Sequence, residues 1–219
     1  MTKMNNKIKH HLTDDLLMAY AAGSLPEAFD LMVATHLSLC DHCRAQAESF
    51  DAVGGCVLQD QDTSDSMGDG ALAATMALIA QGAPVAKPVR PGCSVLPAPL
   101  QDYVGGDVND IRWRRIGMGV KQAILPTTRD ATARLLFIPA GAAVPDHSHN
   151  GVELTMVLQG AFSDEVDHFI RGDVEIADED LHHMPTADIT EDCICLAVTD
   201  APLKFNKLVP RLLQPFLQI

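Results

Sequence analysis

Two groups of histidine and cysteine hold the residue types and spacings that could do chemistry in this chain. In the first, His36, Cys40 and Cys43 form the pattern H-x3-C-x2-C. On a continuous helix they fall at i, i+4 and i+7, on one face; if the helix breaks at Cys40, C-x-x-C still brings two thiolates to one ion. A tetrahedral site needs a fourth ligand. His11 is the candidate, with His10 beside it as the alternative. Two imidazoles and two thiolates leave no position open for water, which is the chemistry of a structural zinc rather than a catalytic one. A redox dithiol is the minor reading, because oxidation opens a zinc thiolate site. The bland reading is a satisfied core histidine beside two unpaired thiols.

The second group, Gly141 to Gly160, has the form G-x5-H-x-H-x3-E-x6-G and contains His147, His149 and Glu153. Strand alternation puts His147 and His149 on one face. Asn150-Gly151 permits a tight turn, from which Glu153 returns pointing inward, and Gly160 suits a turn at the far end. The pattern resembles the first cupin motif along its whole length. Counted from Gly172, the second cupin motif places its histidine at His183, with His182 as competitor. The usual Pro, Gly and Asn are replaced by Asp178, Asp180 and Ala187. Three imidazoles and one carboxylate suit Zn, Mn, Fe, Ni or Cu, against the alternative of solvent-facing histidines. Cys193 and Cys195 share a strand parity and are expected to face the barrel interior near this metal, or to be two buried small hydrophobes. Cys56 and Cys93 receive no role.

The elements that must position these residues change character along the chain. The first eighty residues read as helices. Thr13 caps a helix carrying Leu16, Leu17 and Tyr20 and ending near Gly23. Ser24-Leu-Pro-Glu27 has capping-box spacing ahead of a second helix with Phe29, Met32, Val33 and Leu37 inside. A third runs from Cys40–Cys43 to about Cys56, and after a polar loop (residues 59–70) a short Ala-rich helix covers Ala71–Ala80. Four short helices make a thin core that needs a metal or a partner. Pro84, Pro88, Pro91, Pro97 and Pro99 mark a linker. From Tyr103 the runs WRRIGMGVKQAIL, ARLLFIPAG, ELTMVLQG, HFIRGDVEIA and CICLAVTD read as strands of an antiparallel sandwich or barrel. The tail LVPRLLQPFLQI reads as an extended segment or a ragged helix. The fold class is therefore two-domain, α followed by all-β: helical residues 1–82, linker 83–100 and β residues 101–219.

Composition excludes several functions. A net charge of −13, with 29 acidic against 16 basic residues, gives no footprint for a phosphate backbone, so direct nucleic-acid binding is not expected. Between Ala161 and Asp192 stand 11 acids and one base, Arg171, either a solvated face or a surface for a basic partner. No apolar run approaches the roughly 18–20 residues of a membrane span. The start, MTKMNNKIKHHLTDD, has no apolar core of a secretory signal, so the expected location is the cytoplasm.

His11, DDLLMAYAAGSL and HLSLCDHCR resemble the zinc-binding anti-sigma domain of bacterial anti-sigma factors, and nearest the ChrR type, which joins that domain to a cupin. The resemblance implies zinc on His11, His36, Cys40 and Cys43. It further implies a cupin metal, again zinc, on His147, His149, Glu153 and His183, and a redox or metal-relay role for Cys193 and Cys195. The implied partner is a group IV (extracytoplasmic-function) sigma factor, inhibited by the helical domain and released by an oxidative signal such as singlet oxygen or organic peroxide. The Ala71–Ala80 helix is then a docking element, or else an ordinary core helix. No residue receives a catalytic role. The alternative is a metal-dependent cupin enzyme of the dioxygenase or isomerase type, since fold alone does not fix chemistry.

Overall fold

A computed structural model describes residues 7–60, 67–82, 94–144, 147–148, 150–178, 183–201 and 204–205, with the backbone alone at residues 147, 204 and 205. The expectations for residues 83–93, for His149 and His182 and for the tail LVPRLLQPFLQI lie outside the described residues.

Helices α1 (Asp14–Ala21), α2 (Glu27–Leu37) and α3 (Asp41–Gln59) come first. Thr13 caps α1 as its position predicts, its hydroxyl accepting from the Leu16 N–H at 3.4 Å. The capping box expected at Ser24–Glu27 does not form. Pro26 is the cap residue of α2 and makes no side-chain bond there. Ser24 instead donates its hydroxyl back to the Ala19 carbonyl, and Glu27 turns outward to other elements. Helix α4 (Ala71–Gln81) buries none of its residues. Helix α5 (Ala98–Val104) leads into the β region, with Leu96 and Leu100 fully buried.

The strands are β1 (Arg114–Gly117), β2 (Val120–Ile124), β3 (Thr132–Ile138), β4 (His147–Ser148), β5 (Glu153–Gln159), β6 (Ala161–Ser163), β7 (His168–Ile170), β8 (Val174–Ala177), β9 (Thr186–Ala187), β10 (Cys193–Thr199) and β11 (Lys204–Phe205). Six form one sheet in the order β1-β2-β3-β10-β5-β8; β7-β6-β9 and β11-β4 form two smaller ones. Every described pairing is antiparallel. This is the cupin-like sandwich that the alternating runs imply. One local detail differs: β4 pairs with β11 instead of folding back on β5.

The centre of the large sheet is buried on both faces, which explains why β10 is apolar at every position but Thr199. Ile194, Leu196 and Val198, with Leu154, Met156 and Leu158 of β5, share one core with Leu17, Phe29, Met32 and Val33 of the helices. The opposite parity, Cys193, Cys195 and Val157, packs on Phe162, Phe169 and Ala187 of the small sheet. Alternation in a two-sided sheet sends one set to the helices and the other to the sandwich interior. The helical and β regions therefore meet directly.

Candidate metal centres

The first cluster assembles where α2 ends. His36 sits in the last turn of α2 and is fully buried. The chain breaks at Ser38–Cys40, so C-x-x-C straddles the start of α3, with Cys40 at the cap position accepting from the Cys43 N–H at 3.5 Å. His11 arrives from the extended segment before α1, its Nδ1 3.3 Å from Cys40 Sγ and 3.5 Å from Cys43 Sγ. One ligand atom from each of His11, His36, Cys40 and Cys43 lies within 4.8 Å of all the others. His10 goes elsewhere, its Nε2 3.0 Å from Asp167 Oδ2.

These residues fit a tetrahedral ion. Metal bonds of about 2.0–2.3 Å give tetrahedron edges of about 3.3–3.8 Å, the range of the two His11–cysteine distances. His36 Nδ1 lies 2.9 Å from the Gly172 carbonyl oxygen, to which it donates, while among the described residues its buried Nε2 has no hydrogen-bond partner. A buried imidazole nitrogen left unpaired is costly, and an ion between the thiols satisfies it. Burial pushes the His36 imidazole down to about 4, against the bond to Gly172, and so keeps it in the neutral, ligating form. Burial, followed by His42, lowers His11. Burial raises the Cys43 thiol to about 11, a penalty that a bound cation removes by holding the thiolate.

The second cluster lies inside the sandwich. Glu153 opens β5, is buried, and accepts from the Thr155 hydroxyl at 3.0 Å. His183 is buried, with Nδ1 2.8 Å from Glu175 Oε1 and 3.6 Å from Asp164 Oδ2. Glu153 and Glu175 stand on the same parity of adjacent strands, since Thr155 pairs with Glu175 and Glu153 with Ala177. Burial pushes Glu175 up to about 7, whereas the neighbouring carboxylates, Glu175 first, outweigh burial at His183 and raise it. Asp164 accepts from the Val166 and Asp167 N–H groups through Oδ1; among the described residues its buried Oδ2, which faces His183, has no hydrogen-bond partner. An acid-lined pocket with an imidazole fits a divalent ion. His147 stands on β4, paired with Phe205.

Sequence reading missed Asp164 and Glu175, which it merged into the acidic stretch. No local signal separates them from their acidic neighbours: that Glu175 points inward follows only from the packing of Val174 against the helices. Cys193 and Cys195 do face the interior, with their sulfurs 3.5 Å apart. The carboxylates Glu175 and Glu153 lie near enough to Cys195 to act on its thiol.

Comparison with known proteins agrees with this architecture. Residues 101–202 match the family described as the ChrR cupin-like domain. Over 212 residues the chain is 57% identical to the anti-sigma-E factor ChrR of Cereibacter sphaeroides, covering 97% of this chain and 99% of that protein. The crystal structure of Rhodobacter sphaeroides SigE in complex with the anti-sigma ChrR superposes with a TM-score of 0.77 at 55% identity, covering 88% of this chain and 99% of the matched one. Among the described residues no helix is long and apolar enough to cross a membrane.

Proposed function

The chain belongs to the ChrR family of anti-sigma factors, and from that premise we propose that it binds and inhibits a group IV (extracytoplasmic-function) sigma factor. The observation that carries this is helix α4. It spans eleven residues and buries none of them, yet presents Leu72, Met76 and Ile79 at i, i+4 and i+7. An isolated helix shorter than about 12–15 residues is marginal in water. Such a helix needs an apolar surface from outside, in the manner of a helix laid in a groove. Val53 and Val57, exposed on α3, extend the same apolar character.

In this reading, zinc held by His11, His36, Cys40 and Cys43 fixes the α2–α3 turn and the segment before α1, and so the base from which α3 projects. A second metal, also zinc by family resemblance, sits with His147, His149, Glu153 and His183. An oxidative signal, singlet oxygen or an organic peroxide, acts there or at Cys193 and Cys195 and releases the sigma factor. The working place is the cytoplasm, where the sigma factor meets RNA polymerase. A regulatory role stands ahead of a catalytic cupin because the similarity to an anti-sigma factor runs along almost the whole chain.

The test is co-purification of the full chain with the group IV sigma factor encoded beside its gene. A one-to-one complex is expected, and Leu72→Asp with Ile79→Asp abolishes it without altering the circular dichroism of the free chain. A folded, metal-loaded chain that forms no complex overturns the reading.

A further inference from the structure

Four consecutive residues of the β region hold either a residue of the two clusters or the segment that carries His11. The Gly172 carbonyl accepts from His36 Nδ1 at 2.9 Å. Asp173, with no exposed side-chain surface, accepts from the Lys9 N–H at 2.6 Å and the His10 N–H at 3.0 Å, next to His11. The Val174 N–H donates to the His10 carbonyl at 3.2 Å. Glu175 meets His183 Nδ1 at 2.8 Å. Gly172 has φ +92°, and a Cβ there would lie 2.5 Å from Ile8 Cδ1, so the segment before α1 runs directly against this turn. One cavity of about 650 Å³ is lined by His11 together with Asp164 and Glu175, so both clusters border the same space.

We infer that Gly172–Glu175 is the link through which the two metal centres sense each other, with Asp173 and Glu175 as positioning residues for them. The inference rests on the reading of both clusters as metal centres. Val174 is registered on Met156 in the large sheet, so the segment moves as part of a strand rather than as a free loop. Glu175 lies three residues on from Gly172, at most about 11 Å of extended chain. A change at His183 therefore reaches the carbonyl behind His36 and the carboxylate behind His11 without passing along residues 83–93. Coupling of this kind is reciprocal: occupancy of either centre alters affinity at the other by the same factor.

The experiment uses the full chain loaded with zinc and counts the bound ions before measurement. Zinc release from the helical centre to a chromogenic chelator is followed, together with hydrogen exchange at the Lys9 and His10 amides. The chain is compared with His147→Ala/His149→Ala, which empties the cupin centre. Emptying it is expected to speed helical release about tenfold, within the range of ordinary allosteric coupling. It also raises exchange at Lys9 and His10. Asp173→Asn, placed on both backgrounds, brings that ratio below about twofold. If Asp173→Asn does not fold, Glu175→Ala carries the same expectation from the other end, since it leaves the Lys9 and His10 contacts intact. Two ions released independently in the parent chain, or an undiminished ratio in a folded link variant, overturn the link alone. Fewer than two bound ions overturn the metal reading and the link with it.

Discussion

Tyr103 donates its hydroxyl to Glu27 Oε1 at 2.7 Å, and the Thr128 N–H donates to the other carboxylate oxygen, also at 2.7 Å. One side chain at the start of α2 thus holds both α5 and the connection between β2 and β3. These bonds, Tyr103's first, lower the Glu27 carboxyl, while the same carboxylate pushes the Tyr103 phenol up to about 12.

The alkaline limb of stability follows from that phenol. An unfolded tyrosine ionises near pH 10. The native state holds the proton to about 12, so the contribution of this contact is complete below about 10 and fades as pH rises through 12. Ultraviolet titration of tyrosinate in the native chain is expected to show a late phase near pH 12 that vanishes in Tyr103→Phe. A Tyr103→Phe chain with an unchanged late phase contradicts the assignment.

Met32 lies fully buried on α2, which packs on β3, β5 and β10. Met32→Ala is expected to destabilise the chain by roughly 2–5 kcal/mol, the usual cost of emptying a tight core site. Because the helices share that core with the large sheet, calorimetry should show one transition shifted downward, with α2 and the β region melting together. Two separated transitions contradict the shared core.

Much of this was legible in the residues themselves. Cys40 and Cys43 announce their common target by spacing, and H-x-H before Glu153 announces a cupin strand. The runs ARLLFIPAG and CICLAVTD are apolar on both parities, which marks strands covered on two sides. What covers them was not legible, because contact between α2 and β10 joins residues about 160 apart and leaves no local trace. Ser24–Glu27 misled for a related reason. The capping box is a local preference worth about 1 kcal/mol, and Glu27 instead makes two bonds to distant elements. Glu175 was hidden by composition: in a run of acids nothing local separates a buried carboxylate from solvated ones.

Cys40→Ser replaces one thiolate of the first cluster and removes the Sγ that accepts from Cys43. The variant is expected to carry one zinc fewer per chain by elemental analysis. Hydrogen exchange should rise at the α2–α3 turn and in the segment before α1, since metal binding and local folding are one equilibrium. A Cys40→Ser chain with the full metal count and unchanged protection rules out this ligand set.

The thiols of β10 should be inert to bulky reagents although they lie close together. Only the thiolate is nucleophilic. The contact with Cys193, then burial, then Glu175 and Glu153 raise the Cys195 thiol well above its ordinary value. Both cysteines are buried on the central strand between β3 and β5, so exposing them requires the large sheet to open. Cys56, exposed on α3, has no such protection. Brief treatment of the native chain with iodoacetamide, read by peptide mass spectrometry, is expected to modify Cys56 and spare Cys193 and Cys195 until denaturant is added. Equal labelling of Cys195 and Cys56 in the native state contradicts this burial. Protection from the alkylating agent also sets a size test for any oxidant acting at this pair. A diatomic species can enter a packed interior through small fluctuations, whereas a bulky organic peroxide must wait for the sheet to open. The rate of oxidation by the bulky reagent should therefore track global stability, rising in Met32→Ala, while that of the small one does not.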